Sequence, residues 1–235
     1  MAESCVKLIG TWTSPFVLRA RIGLSLKHVQ YEFLEEKFGP KSDLLLNSNP
    51  VYKKVPVLIH ANKPIPESLV ILEYIDEVWA SSGPSILSSD PYDRAMDRFW
   101  AAYIDEKMTS IIRGLAISPV KEGAEVALEQ VKTGIMLLEE TFRERNKGKA
   151  FFGGDEIGFI DIAFGCLLSL IKATQIRSGL QLIHPARAPL LTHWAKRFNQ
   201  HSHVFPYLPD PHKLAEFAEL LSTRAQAQAQ TQAEV

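Results

Sequence analysis

The strand-forming signals of this chain end near residue 80, and this change restricts the possible folds more than any other feature of the sequence. Before it, short β-rich runs alternate with helical runs, and after it only helical spacing continues. The stretch ASSGPSILSSD at 80–90 is rich in Ser, Gly and Pro, as is typical of a linker. The sequence therefore predicts two domains of different class, at 1–80 and 91–222, joined by a linker at 81–90.

The first domain is predicted to combine a small sheet with helices. Runs typical of strands lie at 6–9, 31–34, 55–60 and 63–66, and helical spacing occupies 17–24 and 69–79. Strand, helix, strand, then two closely spaced strands and a helix, form a βαβ unit joined to a ββα unit. The first domain is therefore predicted to be α/β, with four strands.

The second domain is predicted to be entirely helical. Asp90 and Pro91 suit the N-cap and first position of a helix, and apolar residues then recur at helical spacing through 221. One helix start is specified in detail, since Gly158 suits the N-cap and Asp161 the third position of a capping box. We expect Asp161 to organise folding and not chemistry. Residues 223–235, rich in Ala and Gln, are expected to be disordered.

Composition excludes several classes of function. The net charge is −1, which predicts neither nucleic acid nor an acidic membrane surface as partner. No run is expected to reach the roughly 20 apolar residues that span a bilayer, and the N-terminus does not resemble a signal peptide. Cys5 and Cys166 lie outside any CxxC pair, so we predict neither a disulfide nor a metal site. These features are typical of a cytosolic protein.

The stretch GTWTSPFVLRARIGL at 10–24 raises the first question about function. If Pro15 begins a helix, Ser14 is its N-cap, which alone explains both residues. The same geometry places a hydroxyl beside unpaired N–H groups at the positive end of a helix, where anions bind. The hydroxyl of Ser14 can therefore either cap the helix or donate to a bound anion.

A second segment favours a ligand with the chemistry of a peptide. Glu67 and Ser68 open the third helix: Ser68 can be an N-cap with Glu67 before it, or the pair can hold an α-amino acid. Between the two segments lie Lys53 and Lys54, followed by Val55 and Pro56. A cis Val55–Pro56 bond would leave the backbone of Val55 free to pair with an extended peptide, although about 5–6% of X-Pro bonds are cis. A peptide with carboxylates at both ends would suit this edge.

The sequence closely resembles the glutathione transferases, in particular the plant tau class. The matching stretches are SPF at 14–16, KSDLLLNSNPVYKKVPVLIH at 41–60, ESLVILEYIDEVW at 67–79, DPYDRAMDRFWAAYIDEK at 90–107 and GFIDIA at 158–163. The resemblance implies a thioredoxin-like domain with a mixed four-stranded sheet, an all-α domain and a homodimer. It also implies glutathione as co-substrate, small hydrophobic electrophiles as substrates in detoxification, and no metal.

The resemblance also implies roles for individual residues. Ser14 would donate a hydrogen bond to the glutathione sulfur. Glutathione binding is implied for Ser14, Pro15, Pro40, Lys41, Lys54, Val55, Glu67 and Ser68. The co-substrate pocket is implied for Phe16, Met108, Thr109, Arg113, Leu170 and Phe217; for all of the last five except Arg113, core packing is the alternative.

Three other activities compete with conjugation. A glutathione-dependent thiol transferase would carry cysteine where Ser14 stands. A non-catalytic carrier would keep the fold and bind apolar ligands in the same groove. A peroxidase would use the same thiolate to attack an organic hydroperoxide. The sequence disfavours the first of these and does not rank the other two against conjugation.

Overall fold

The N-terminal domain is built on a mixed sheet of four strands. The computed structural model describes residues 5–118 and 123–233. Its strands are β1 Val6–Gly10, β2 Glu32–Glu35, β3 Val57–His60 and β4 Lys63–Pro66, in the order β2-β1-β3-β4. β1 pairs in parallel with β2 and antiparallel with β3, and β3 pairs antiparallel with β4. This arrangement confirms the predicted thioredoxin-like sheet.

Three helices accompany the sheet, and the remaining helices form the second domain. The N-terminal helices are α1 Pro15–Leu26, α2 Asp43–Ser48 and α3 Ser68–Val78. The second domain contains α4 Pro91–Tyr103, α5 Ser110–Ile117, α6 Ala124–Asn146, α7 Phe159–Gly165, α8 Leu168–Ser178, α9 Pro189–Gln200 and α10 Pro211–Ala233. A π-helical segment, Ile104–Thr109, joins α4 to α5, and periodicity gave no sign of it. The short helix α2 was also not predicted.

Helix α1 lies at the centre of the molecule, because it packs against both domains. It contacts α3 on one side and α7 of the helical domain on the other. Gly23 permits the first contact, since a β-carbon there would lie 2.8 Å from Cδ2 of Leu72 on α3. Most of α1 is buried as a result, including its one fully buried arginine, Arg19.

For helix starts, disorder and apolar runs, the structure differs from the sequence expectations at three places, of which the start of α3 is the first. Ser68 is not the N-cap of α3 but its first residue; Glu67 is the N-cap, with a φ of 73° and no capping bond from its side chain. This excludes the N-cap role, one of the two alternatives for Ser68, whose hydroxyl accepts a hydrogen bond from Arg19. This contact joins residues 49 positions apart, which local sequence rules cannot anticipate.

The other two differences concern the C-terminal part of the chain. Residues 223–233, expected to be disordered, continue α10 as far as Ala233, in agreement with the high helix propensity of Ala and Gln. Phe159–Ser178 is, against expectation, long and apolar enough to cross a membrane by composition. Of this segment's window, 78% is buried inside the protein, because α7 and α8 form part of the helical core.

Asp161 has the structural role that the sequence predicts. Its Oδ2 accepts from the backbone N–H of Gly158 at 2.9 Å and of Gly153 at 3.0 Å, and its Oδ1 from that of Phe152 at 3.0 Å. The indole N–H of Trp194 donates to Oδ1 at 2.6 Å. Burial raises the pKa of Asp161 to about 6, although these four donors act to lower it. The carboxylate therefore ties the start of α7 to α9 and to the loop before it.

We predict that Asp161→Ala destabilises the protein by about 3 kcal/mol or more, because it leaves several buried N–H donors without a partner. Asp155→Ala is the matched control, since Asp155 pairs with Lys149 at the surface of the same loop and such pairs contribute about 0–1 kcal/mol. Urea unfolding monitored by circular dichroism compares the two variants. Equal midpoints for both would contradict the proposed role of Asp161.

Candidate active site

A cleft of about 540 Å³ lies where the two domains meet. Its N-terminal wall is formed by the loop from β1 to α1, the loop after β2 and the segment before β3. Its opposite wall is formed by α5, α8 and α10. A cleft of this size at a domain boundary is within the range of small-molecule sites.

Ser14 lies on the wall of this cleft at the start of α1. It is the N-cap of α1, as predicted, and its Oγ accepts from the backbone N–H of Val17 at 3.3 Å. Because the hydroxyl accepts that bond, its own proton is free to be donated to another group. Nearby on the same wall, Oγ1 of Thr11 is buried without a hydrogen-bond partner among the described residues.

Lysines from two loops make the N-terminal wall positive. Lys41 and Lys54 line it as expected, together with Lys53, the other member of the lysine pair that the sequence places at this edge, and Lys37, which sequence reasoning did not assign to the site. The loop before β3 is held by Asn49, whose side chain donates to the carbonyl of Lys54 at 2.9 Å and accepts from the N–H of Tyr52 at 3.1 Å.

Val55 and Pro15 complete this wall. Both line the cleft, as the resemblance implies. The Val55–Pro56 peptide bond is cis, although the sequence alone made that improbable. Val55 therefore lies at the cleft two residues before strand β3.

Three residues assigned to glutathione binding do not line the cleft. Pro40 lies instead in a neighbouring depression with Ser42 and Leu44. Glu67 is exposed at the start of α3. Ser68 is buried, with its hydroxyl engaged by Arg19. Contact between these three residues and a bound peptide stays a prediction.

Arg19 forms a buried network behind the N-terminal wall. Its guanidinium, 0% exposed, donates to both carboxylate oxygens of Asp105, at 2.6 and 2.8 Å, and to Oγ of Ser68 at 3.2 Å. It also donates to the carbonyl of Ala163 at 2.9 Å and to Sγ of Cys166 at 3.3 Å. Burial acts to lower the pKa of Arg19, but Cys166 and Asp105 outweigh it and hold the pKa above its ordinary value.

The network therefore connects α1, α3, the π-helical segment and α7. Phe16, two residues after the cap of α1, lies under the same guanidinium, whose carbon is 5.2 Å from the ring centroid. Sequence reasoning missed Arg19. The available signal was its helical spacing from Pro15 and Ile22, which places it on a buried face of α1.

The opposite wall of the cleft is mainly apolar. Arg113, Leu170 and Phe217 line it as expected, with Ala116, Ile117, Leu214, Ala218 and Leu221, and Phe16 lines the cleft from α1, also as expected. The Phe217 ring lies 4.4 Å from that of Phe38 and 6.1 Å from that of Trp12, between centroids. These aromatic contacts join α10 to the N-terminal domain across the cleft.

Met108 and Thr109 do not line this wall, contrary to expectation. Met108 is fully buried and packs against Gly134 of α6, where a β-carbon would lie 2.9 Å from its sulfur. The hydroxyl of Thr109 donates to the carbonyl of Ile104 at 3.0 Å and to Oδ1 of Asp105 at 3.3 Å. The π-helical segment changes the helical phase here, so both side chains face the core.

The cleft is lined by neither of the two cysteines. Cys5 is exposed and Cys166 is buried, and both are unpaired. Burial raises the pKa of Cys166. Across 5–118 and 123–233, no group of three or more His, Cys, Asp or Glu side chains is arranged to hold a metal ion.

Comparison with known proteins identifies the family. A model of the "Glutathione S-transferase, N-terminal domain" matches residues 4–77, and one of the "Glutathione S-transferase, C-terminal domain" matches residues 92–202. The chain belongs to the glutathione S-transferase family. Glutathione S-transferase U17 of Arabidopsis thaliana is 52% identical over 227 residues, which cover 97% of this chain and 100% of that protein.

Solved structures assign this glutathione transferase to the tau class. The tau-class enzyme of mango, Mangifera indica, is 54% identical, has a TM-score of 0.88, and covers 94% of this chain and 100% of its own. Rice GST1, solved in complex with glutathione, is 34% identical with a TM-score of 0.85 over 95% of this chain and 99% of its own. The protein is therefore a transferase that conjugates glutathione, its co-substrate.

We predict that Arg19→Met destabilises this transferase by about 3–5 kcal/mol, because the Asp105 carboxylate loses its partner inside the interdomain contact. Lys132→Met is the control, since Lys132 pairs with Glu129 at the surface of α6 and its loss costs about 1 kcal/mol or less. Differential scanning calorimetry measures both losses. A melting temperature for Arg19→Met equal to that of Lys132→Met would contradict this role for Arg19.

Proposed function

We propose that Ser14 holds the sulfur of bound glutathione as a thiolate, which then attacks small hydrophobic electrophiles. The observation that carries this proposal is the position of Ser14, whose hydroxyl lines the interdomain cleft at the N-terminus of α1. Because its oxygen accepts the capping bond from Val17, its proton can be donated to the sulfur without loss of the cap. The attacking atom is the glutathione sulfur, and Ser14 itself stays uncharged.

The energies support this role without a metal or a general base. A free thiol has a pKa of about 8.5 and is a few per cent thiolate at neutral pH. Lowering the pKa by about two units takes roughly 2.7 kcal/mol. One hydrogen bond to a charged group supplies about 1.5–3 kcal/mol, and a helix N-terminus about 0.3–1 kcal/mol more. The two contributions together reach the required size.

The N-terminal wall binds glutathione, and the apolar wall binds the electrophile. Lys41 and Lys54 attract the glycyl carboxylate of glutathione, and the backbone of Val55 pairs with its cysteinyl part. Glu67 and Ser68 bind the γ-glutamyl end, at the start of α3 beside the cleft. The apolar wall, with Leu170 and Phe217, takes the electrophile together with Phe16 of α1, and these side chains exclude water from the sulfur.

The alternative functions make different demands on the same cleft. A thiol transferase would need a reactive cysteine at the site, and neither Cys5 nor Cys166 lines the cleft. A peroxidase would use the same thiolate against an organic hydroperoxide, so it shares the proposed machinery. A carrier would bind apolar ligands without turnover, which kinetics separates from conjugation.

We expect Ser14→Ala to lower kcat/KM for 1-chloro-2,4-dinitrobenzene by about tenfold to a hundredfold, the loss of one charge-assisted hydrogen bond. The pKa of bound glutathione, followed by thiolate absorbance in the ultraviolet, should rise in parallel. Asp90→Ala is the control, because Asp90 caps α4 through the N–H groups of Tyr92 and Asp93 away from the cleft. It removes a cap of the same kind and should keep kcat/KM within about twofold.

Unchanged turnover and an unchanged thiol pKa in Ser14→Ala would overturn the mechanism. Binding of apolar ligands without turnover in the wild-type protein would favour the carrier. Equal losses of kcat/KM in Ser14→Ala and Asp90→Ala would show that the effect comes from removing a helix cap and not from removing a hydrogen bond to the sulfur.

The transferase is further proposed to act as a homodimer in the cytosol. Helices α3 and α4 carry the exposed apolar side chains Val70, Val78, Tyr92 and Phe99, and the loop before β3 carries Val51 and Tyr52. The Glu73–Arg98 ion pair joins α3 to α4. Exposed apolar side chains that form a contiguous patch are typical of interfaces between subunits.

Sedimentation of the full chain should give twice the mass of one chain. Phe99→Asp should shift the molecule to the monomer at micromolar concentration, because burying an unpaired carboxylate is costly. Phe205→Asp is the matched control, since Phe205 is also exposed but lies in the 3₁₀ turn Phe205–Tyr207 before α10. A monomeric wild-type protein would contradict the proposed dimer.

A further inference from the structure

The side chains that line the cleft carry a net positive charge. Five cationic side chains line it, namely Lys37, Lys41, Lys53, Lys54 and Arg113, against the single carboxylate of Glu36. That carboxylate is already engaged, since it accepts from the backbone N–H and the hydroxyl of Ser42 at 2.7 and 2.8 Å. A net positive cleft between low-dielectric walls concentrates anionic ligands.

The cations are divided unequally between the two walls. All four lysines belong to the N-terminal wall, where the carboxylates of glutathione are proposed to bind. Arg113 belongs to α5 on the other wall, beside the apolar side chains of Ile117, Leu170 and Phe217. It is the one charged residue that the helical domain contributes to the cleft within the described part of the chain.

Arg113 also has no protein partner within 5–118 and 123–233. Two other arginines of the helical domain have protein partners. Arg145 pairs with Asp97. Arg177 pairs with Glu219 and donates to the carbonyls of Ala116 and Ile117. The Arg177 contacts occupy the carbonyls at the end of α5, so they hold the helix that carries Arg113. The helix that carries Arg113 is therefore held in place by Arg177, and the N–H donors of the Arg113 guanidinium are available to a ligand.

We propose that Arg113 selects electrophiles that carry a carboxylate on an apolar body. This inference rests on the proposed function, in which the electrophile occupies the apolar wall. A guanidinium matches a carboxylate through two parallel N–H···O bonds, and Arg113 is exposed to the cleft beside apolar side chains that can contact the body of such a substrate. The carboxylate orients the substrate and takes no part in the bond changes.

A matched pair of substrates isolates this effect. In 4-chloro-3,5-dinitrobenzoate and its methyl ester, the glutathione thiolate attacks the carbon that bears chlorine. A carbon–sulfur bond forms, the carbon–chlorine bond breaks, and chloride leaves with the electron pair. The thiol proton has passed to solvent on thiolate formation. The two substrates share this reaction and differ in the charge remote from it.

The measured quantity is the ratio of kcat/KM for the carboxylate to that for the ester. We expect Arg113→Gln to lower this ratio about tenfold, which corresponds to about 1.4 kcal/mol. Arg113→Lys should recover part of it, because an ammonium keeps the charge without the bidentate geometry. Lys196→Gln, which removes an exposed cation on α9 outside the cleft, should leave the ratio at its wild-type value.

Equilibrium binding keeps the test independent of turnover. The unreactive 4-amino-3,5-dinitrobenzoate and its methyl ester are titrated by calorimetry into the glutathione-saturated protein, and their ratio of Kd should change by the same factor in Arg113→Gln. A ratio within twofold of wild type in both measurements, or an equal loss in Lys196→Gln, overturns the proposal for Arg113. Loss of conjugation in Ser14→Ala with an unchanged Arg113 ratio would leave the proposed function standing and refute this inference alone.

Discussion

The buried guanidinium of Arg19 is the interaction on which the arrangement of this transferase depends. It lies on α1 and donates to α3 through Ser68, to the π-helical segment through Asp105 and to α7 through Ala163. A charge taken fully out of water needs partners for nearly all of its donors, and breaking such a pair is strongly destabilising. The pairing therefore specifies one position of the helical domain relative to the sheet.

That position creates the cleft, because each domain supplies a wall that the other lacks. The N-terminal wall offers the cap of α1 and a set of lysines, and the helical wall offers aromatic and aliphatic side chains. A polar peptide and an apolar electrophile can thus meet at one sulfur atom. The same arrangement places Arg113 beside the apolar side chains of the helical wall, which is the basis of the selectivity proposed for it.

Local signals in the sequence predicted the parts of the structure that depend on neighbouring residues. The capping role of Ser14 and the capping box of Asp161 follow from spacings of three residues, and both were predicted. The sequence could not predict Ser68 or Thr109, whose hydroxyls bond to the Arg19–Asp105 network. Met108 was assigned to the pocket by resemblance alone, and the structure supports the alternative of core packing, since Met108 is fully buried against Gly134.

The sequence by itself determined the two domain classes, the four strands, and the hydroxyl and lysines at the edge of the sheet. These features rest on periodicity and capping, which act over a few residues. The tertiary structure alone decided which side chains face the cleft and which are buried, because that depends on contacts between segments far apart in the chain. Arg19 and Ser68 are 49 residues apart, and Arg19 and Asp105 are 86 apart, so their meeting is a property of the folded molecule.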